Sequence, residues 1–489
     1  MISILVFFPL LVALATLFSG EKAKQTALAG SLIQFALSIY FVLNFSPEGG
    51  TQFTQNYWWV QGLGISYHVG MDGISLLLVL LTTFLTPIII LSSFSHKYKN
   101  PRLFFALILT MQMALIGVFV SLDAFLFYVF WELALIPIYL ICLIWGGKDR
   151  VRITLKFFIY TLFGSLLMLV ALIWLWSQTP GAHTFDIGAF YSLTLSQTQQ
   201  SWVFWALFIA FAIKIPIFPF HTWLPDTYTD SPTQGTMLLS GIMLKMGIYG
   251  ILRWLLPIVP DGAREWADLV ILLSVIGIVY ASLIAWVQKD FKRLIAYSSI
   301  AHVGLIAAGV LGLSFQGVHG GVFQMLSHGV NVVGLFFIAD IIQRRTETRD
   351  MNSLGGIRLE APVFSTFFII ILLASIALPL TNGFIGEFLL LNGIYQYSTT
   401  AAVFAGLTII FGAVYMLRAY RKIILGDKNH SLSGFAELSQ NEKWVMIPLV
   451  VLIFWMGIYP DFFLSISEPS VKTLRDIIFA SGALDSNPL

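Results

Sequence analysis

The sequence predicts an all-α integral membrane protein of about fourteen transmembrane helices, on three observations. The composition is too apolar for a soluble particle, apolar stretches of spanning length recur along the whole chain, and the basic residues alternate between loops. The chain has 489 residues, of which 58% are hydrophobic and 11% charged, with a mean hydropathy of +0.85. A soluble domain carries about 25% charged residues. Halving that share leaves too little polar surface to face water, so lipid is the expected solvent. Apolar runs of about 18 residues or more are the length a bilayer requires.

The apolar stretches fall at 2–19, 26–45, 73–94, 102–120, 122–145, 153–177, 202–220, 233–256, 267–287, 293–312, 318–342, 363–395, 400–424 and 444–464. The first has no basic region before it and no small-residue cleavage site after it, and reads as a span and not a cleaved signal. Several stretches contain Gly or Pro, which transmembrane helices tolerate. No polar stretch is long enough for a separate soluble domain, so residues 1–489 read as one polytopic membrane domain.

Loop charge tests this count independently. The loops after spans 1, 3, 5, 9, 11 and 13 and their edges hold Lys22 and Lys24; Lys97, Lys99 and Arg102; Lys148, Arg150, Arg152 and Lys156; Lys289, Lys292 and Arg293; Arg344, Arg345, Arg349 and Arg358; and Arg418, Arg421, Lys422, Lys428 and Lys443. That is twenty-one of the 27 Lys and Arg, all in odd-numbered loops. Arg253 and Arg264 flank the loop after span 8, and Lys472 and Arg475 lie in the C-terminal tail. The positive-inside rule then puts the odd loops in the cytoplasm and both termini on the outer side. Aromatic clusters near span ends, Tyr57-Trp58-Trp59 and Trp202 to Trp205, read as interfacial anchors.

Four charged residues sit well inside apolar runs: Glu132 in span 5, Lys214 in span 7, Lys245 in span 8 and Glu387 in span 12. A charge at the bilayer centre costs roughly 2.5–3.5 kcal/mol on insertion scales and marks a functional site by default. Ion pairs that merely fix helix packing are the ordinary alternative. Lys214 precedes Pro216 and Pro219, which remove backbone donors and break the helix. A lysine at a broken helix is placed to exchange protons with water, and a carboxylate such as Glu132 that approaches or leaves it shifts its proton affinity. Lys245 is flanked by Gly241 and Gly247, which admit a close neighbour. Span 12 is interrupted by Pro379, Asn382, Gly383 and Gly386, with Glu387 just beyond. Two broken helices five spans apart lie in opposite orientation, as inverted repeats require. Spans 4–8 (102–256) and 9–13 (267–424) are therefore expected to be two inverted five-helix repeats, broken at helices 7 and 12.

His302 in span 10 and His328 in span 11 also lie inside apolar runs. Histidine titrates near neutral pH and shuttles protons, although each alone suits a packing role equally well. His221 sits just past the first break and His319 at the start of span 11. The single cysteine, Cys142, excludes an intrachain disulfide and a cysteine-ligated cluster. Nucleophile elbows, phosphate-binding Gly-rich loops, metal-ligand spacings and cofactor fingerprints do not appear. The near-zero net charge of +2 gives no sign of a nucleic-acid partner.

The segment FAIKIPIFPFHTWLPDTYTDSPTQGTMLLSGIMLKMGIYG resembles the signature of the antiporter-like membrane subunits of respiratory complex I. FWELALIPIYLI, IAYSSIAHVG, MLSHG and GFIGEF fit the same family in the same order, and the likeness runs from about residue 60 to 460. Glu387, where the L and N branches resemble lysine, points to the M branch (the mitochondrial subunit 4 type) of NADH-quinone oxidoreductase. The resemblance implies that Glu132 and Lys214 form a coupling ion pair, and that Lys245, His302 and His328 carry protons to Glu387 as exit group. It implies no cofactor in this chain, with flavin, iron–sulfur clusters and quinone in partner subunits. It also implies L-like and N-like membrane neighbours, an indirect link to a peripheral redox arm, and a bacterial inner membrane. The family reads LPDAH after span 7, where this chain has LPDTYTD, so any role of that histidine is lost. The D subunit of a multisubunit cation/proton antiporter and the matching subunit of a membrane-bound hydrogenase share this pattern and stand as alternatives.

Overall fold

The structure, a computed structural model, describes residues 1–426 and 434–480; Lys428 lies outside them. Its helices are α1 (Ile2–Phe18), α2 (Ala23–Leu43), α3 (Gly73–Ser92), α4 (Pro101–Val120), α5 (Ala124–Trp145), α6 (Arg150–Gln178), α7 (Ile187–Tyr191), α8 (Gln197–Lys214), α9 (Leu224–Asp230), α10 (Thr233–Leu238), α11 (Leu244–Gly250), α12 (Pro260–Val287), α13 (Phe291–Leu311), α14 (Phe315–Thr346), α15 (Pro362–Ser375), α16 (Asn382–Tyr397), α17 (Thr399–Tyr420), α18 (Gln440–Ile458) and α19 (Asp461–Ala480). Each of the fourteen predicted apolar stretches is helical. Among the described residues, eleven helices are long and apolar enough to cross a membrane singly. The three predicted spans that fall short are the first, a 17-residue helix, and spans 7 and 12, which are cut in two at the prolines.

Helix starts follow local chemistry. Asp72, Asp123 and Asp290 cap α3, α5 and α13 by accepting the amides of Ser75, Leu126 and Arg293, and Ser196 and Ser439 close reciprocal capping boxes. Burial is inverted relative to a soluble protein. Large apolar residues line the outside of α6 (Leu155, Ile159, Phe163, Leu166, Val170, Ile173) and of α12 (Leu269, Leu272, Ile276, Tyr280, Leu283, Val287). Both sets recur at three- and four-residue steps, the stripe a helix presents to one neighbour, which here is lipid. The innermost elements are α10–α11, α13 and α14, which are almost wholly buried.

The loops segregate as the charge pattern predicted. A polar cleft of ≈ 660 Å³ gathers residues from the connections after spans 3, 5, 7, 9 and 11, including His96, Lys148, Ser231, Lys292 and Arg349. A second, of ≈ 320 Å³, gathers Glu48, Asp72, Tyr191, Arg253 and the C-terminal helix. These are called the basic face and the opposite face below.

One feature departs from the all-helical reading, and a second adds a helix to the fourteen predicted spans. Gln52–Val60 and Ile65–Met71 form an antiparallel β-hairpin, β1–β2, and the cluster Tyr57-Trp58-Trp59 stands exposed on its first strand. The tail beyond span 14 forms the amphipathic helix α19, which buries Phe463, Ile466, Val471, Leu474 and Ile478. Ser470 Oγ accepts the Gly73 amide at 2.9 Å, tying α19 to the start of α3.

The second break is the tighter one. Between α15 and α16, Ala377 (φ 58°) and Leu380 (φ 73°) adopt the left-handed region, at a cost of order 1–3 kcal/mol each for non-glycine residues. A Cβ on Gly383 would lie 2.1 Å from the Ala374 carbonyl oxygen, so only glycine lets α16 start this close to the end of α15. We expect Gly383→Ala to destabilise by about 1–3 kcal/mol through overpacking, read as a lowered midpoint of thermal unfolding in detergent. Gly406→Ala, on α17 where a Cβ meets nothing within 4 Å, should leave the midpoint unchanged or raise it.

Candidate proton-relay site

Span 8 carries Lys245 on α11, a short α-segment between two π-helical segments, Leu239–Met243 and Ile251–Leu255. Such bulges widen a helix and recur at functional sites. Side chains on a helix lean toward its N-terminus, and Lys245 Nζ accordingly donates to the Ser240 carbonyl at 2.5 Å and to His328 Nδ1 at 2.8 Å. Glycines bring the partner within reach: a Cβ on Gly329 would lie 2.8 Å from the Gly241 carbonyl oxygen, so α14 packs backbone to backbone against span 8.

His328 Nε2 lies 3.1 Å from Ser299 Oγ on α13. One turn along α13, His302 Nδ1 is 2.8 Å from Glu387 Oε1 on α16. Gln324 on α14 also donates to Glu387 Oε1, at 3.4 Å. The two imidazoles do not touch; their ring centres are 6.5 Å apart. Between them is a cavity of ≈ 20 Å³ lined by Ser298, Ser299, His302, Gln324, His328 and Asn331. That is about the volume one water needs, with polar side chains on part of the lining and Ile295, Val332 and Leu335 on the rest. Behind it, Tyr415 on α17 donates to Ser298 Oγ at 3.0 Å.

Lys214 is the last residue of α8, where the helix stops at Pro216, and it is buried. Trp223 Nε1 donates at 2.9 Å to the Ile213 carbonyl that the break frees. Lys214 Nζ sits 5.3 Å from the centre of the Trp131 ring, a cation–π contact. Glu132 is adjacent in sequence to Trp131. Among the described residues no ion pair joins Glu132 to Lys214, and Glu132 Oε1 is buried without a hydrogen-bond partner. The break also abuts span 8: a Cβ on Gly247 would lie 2.5 Å from Ile215 Cγ1. The structure thus joins Lys245 to His328 and His302 to Glu387, and leaves Glu132 and Lys214 as close neighbours.

Ser299, Gln324 and Asn331 were not singled out from the sequence, although a signal existed. Gln324, His328 and Asn331 recur at four- and three-residue steps, one helix face, inside an apolar run. Ser298 and Ser299 precede His302 by one turn. His221 packs against Phe218 and Tyr280, and His319 Nε2 lies 3.1 Å from the Leu464 carbonyl oxygen on α19; neither joins the relay. Among the described residues, no group of three His, Cys, Asp or Glu could hold a metal ion.

Residues 121–412 match the family model described as NADH:quinone oxidoreductase/Mrp antiporter, transmembrane, and residues 1–118 match that of NADH-ubiquinone oxidoreductase chain 4, amino terminus. The NADH-quinone oxidoreductase subunit M of Rickettsia conorii is 43% identical over 486 residues, covering 97% of this chain and 98% of the relative. This chain belongs to the NADH-quinone oxidoreductase subunit M family. A second subunit M relative, from Rhodobacter capsulatus, is 40% identical over 97% of this chain and 96% of its own length. NADH-ubiquinone oxidoreductase chain 4 of Marchantia polymorpha is 38% identical over 91% of this chain and 90% of its own. A chain of respiratory complex I from Thermus thermophilus superposes with a TM-score of 0.91 at 29% identity, covering 98% of this chain and all of that one. The Mrp complex of Dietzia shares the fold, with a TM-score of 0.85 at 20% identity. The resemblance read from the lysine and proline motifs is therefore a subunit M relationship, the branch to which Glu387 pointed.

In this subunit M family member the His302–Glu387 contact is buried, so removing one partner strands the other. We expect His302→Leu to cost on the order of 1–3 kcal/mol, the desolvation penalty of an unpaired buried polar group. The double variant His302→Leu/Glu387→Leu should recover much of it. A double-mutant cycle in thermal stability checks this; additive losses would show that the contact is not coupled.

Proposed function

We propose that this chain is the proton-translocating, antiporter-like membrane subunit of an NADH-quinone oxidoreductase, driven by electron transfer in other subunits. What supports the reading most is the pair of buried titratable contacts, Lys245–His328 and His302–Glu387, with a ≈ 20 Å³ cavity lined by both histidines, in a chain of this family. In this reading flavin, iron–sulfur clusters and quinone belong to partner subunits, and no redox centre is assigned here. L-like and N-like subunits are the membrane neighbours, and the peripheral arm acts at a distance. The chain has fourteen crossings in a bacterial inner membrane, with the basic face inward and both termini outside. Residues 102–256 and 267–424 are the inverted repeats.

The transfer runs as follows. An approach of Glu132 to Lys214 holds a proton on that lysine; their separation releases it toward Lys245 across the contact of α8 with α11. Lys245 Nζ passes a proton to His328 Nδ1, and the imidazole gives up its other proton from Nε2, so that each histidine changes tautomer and no net charge stays behind. A water in the small cavity carries the proton to His302 Nε2, an atom with no protein partner. His302 then releases a proton from Nδ1 to Glu387 Oε1, the exit group. Electrostatics couple the steps because a charge moved through a low-dielectric interior is felt strongly by its neighbours.

The Mrp antiporter in the family description favours a second reading, a cation/proton antiporter subunit. Relatives at 38–43% identity carry the oxidoreductase name, which favours the first. The hydrogenase-type alternative has no finding in its favour. Copurification from the native membrane separates them: flavin and iron–sulfur subunits, with NADH-dependent quinone reduction, are expected. Recovery with small membrane subunits alone would move the assignment to the antiporter. Lys214→Ala, Glu132→Ala and Lys245→Ala should each assemble yet lose most of the proton pumping driven by NADH. Full pumping in Lys214→Ala or Glu132→Ala would overturn their assigned roles.

A further inference from the structure

Lys245, Tyr249 and Arg253 follow one another at four-residue steps on one face of span 8. At 1.5 Å per residue, Arg253 lies only about 12 Å along the axis from Lys245. Beyond it is the ≈ 320 Å³ polar pocket of the opposite face, lined by Asp72, Tyr249 and Arg253 and reaching the surface at Glu48 and Lys472. An exit there would bypass both histidines.

The route is built shut. Arg253 Nη2 donates to Asp72 Oδ2 at 2.5 Å, with side chains only 15% and 9% exposed, and also reaches Ser75 Oγ at 3.4 Å. Its guanidinium lies 5.7 Å from the Tyr249 ring centre. Tyr249, fully buried, donates its hydroxyl proton to the Phe119 carbonyl at 2.9 Å, and Tyr191 donates to the Arg253 carbonyl at 2.7 Å. Asp72 is held in turn by capping α3. A proton wire needs groups that both accept and donate. A guanidinium has five donors, no acceptor, and does not deprotonate, so it breaks such a wire while its charge repels an arriving proton.

We propose that Arg253, clamped by Asp72 and Tyr249, seals the direct path from Lys245 to the opposite face and so forces the proton sideways through His328. This rests on the proton-transfer reading given above and adds to it a positioning residue that acts on the route alone.

The test uses the whole complex in sealed liposomes without NADH, following the decay of an imposed pH difference. Arg253→Lys keeps a cation beside Asp72 but introduces a group that can release and regain a proton. Asp72→Asn/Arg253→Met removes both charges together, so neither is left unpaired. Either variant should collapse the pH difference several-fold faster than the native complex, with quinone reduction retained, and adding Lys245→Ala should restore the slow decay. Native decay in both variants overturns the proposal, as does a fast decay that persists with Lys245→Ala. Undiminished NADH-driven pumping in the single Lys245→Ala variant would instead overturn the underlying relay, a result independent of the leak.

Discussion

An amine at the middle of a lipid-embedded bundle must have acceptors, because desolvating it without them is one of the largest penalties a fold can carry. Lys245 meets that demand with one backbone carbonyl and one imidazole nitrogen, and much of the architecture follows from supplying them. The carbonyl of Ser240 lies five residues back, in the π-helical segment that precedes Lys245. The imidazole arrives only because Gly241 and Gly329 let two helix backbones meet. Once α14 is drawn in, His328 faces α13, and the Ser299–His302 face of α13 becomes the next station.

The two helix breaks solve a related problem differently. A broken helix frees carbonyls, and in lipid each freed carbonyl needs a donor. At the first break Trp223 supplies one to Ile213; at the second, Asn331 donates to the Ala374 carbonyl at 3.1 Å. Both donors sit beside the relay, so the groups that make the breaks tolerable also position it. Asn331 lines the small cavity between the histidines, and Gln324 is pressed against Gly386, where a Cβ would lie 2.2 Å from its Oε1. This packing holds Ala377 and Leu380 in the left-handed region.

The membrane class, the order of the spans and the six titratable positions were legible in the sequence because each departs from a strong rule: apolar length, loop charge, and the near-absence of charge inside spans. The pairing among the six was legible only in part. That His302 meets Glu387 depends on α13 and α16 lying side by side, which no local pattern encodes. Glu132 and Lys214 illustrate the converse: their types suggest an ion pair, whereas in the fold the Trp131 ring lies beside the lysine and Glu132 stays out of contact. The hairpin β1–β2 escaped the sequence reading because its strands are short, and α19 because polar residues alternate with apolar ones along it. In the sequence Arg253 only flanks the loop after span 8, since its partner Asp72 is 181 residues away and only folding brings the two together.

Direction in such a relay is set by hydrogen-bond capacity as much as by proton affinity. Histidine, serine, glutamate and water can each accept and donate, and these are the groups that run from Lys245 through His328 and His302 to Glu387. Along the axis of span 8 toward the opposite face the sequence changes character: a tyrosine whose proton is committed to a carbonyl, then a guanidinium that can only donate. Both directions are polar, and both would read as plausible proton routes if polarity alone were counted. What separates them in the proposed relay is whether a proton accepted at one atom can leave from another, and the guanidinium of Arg253, which has no acceptor, fails that criterion.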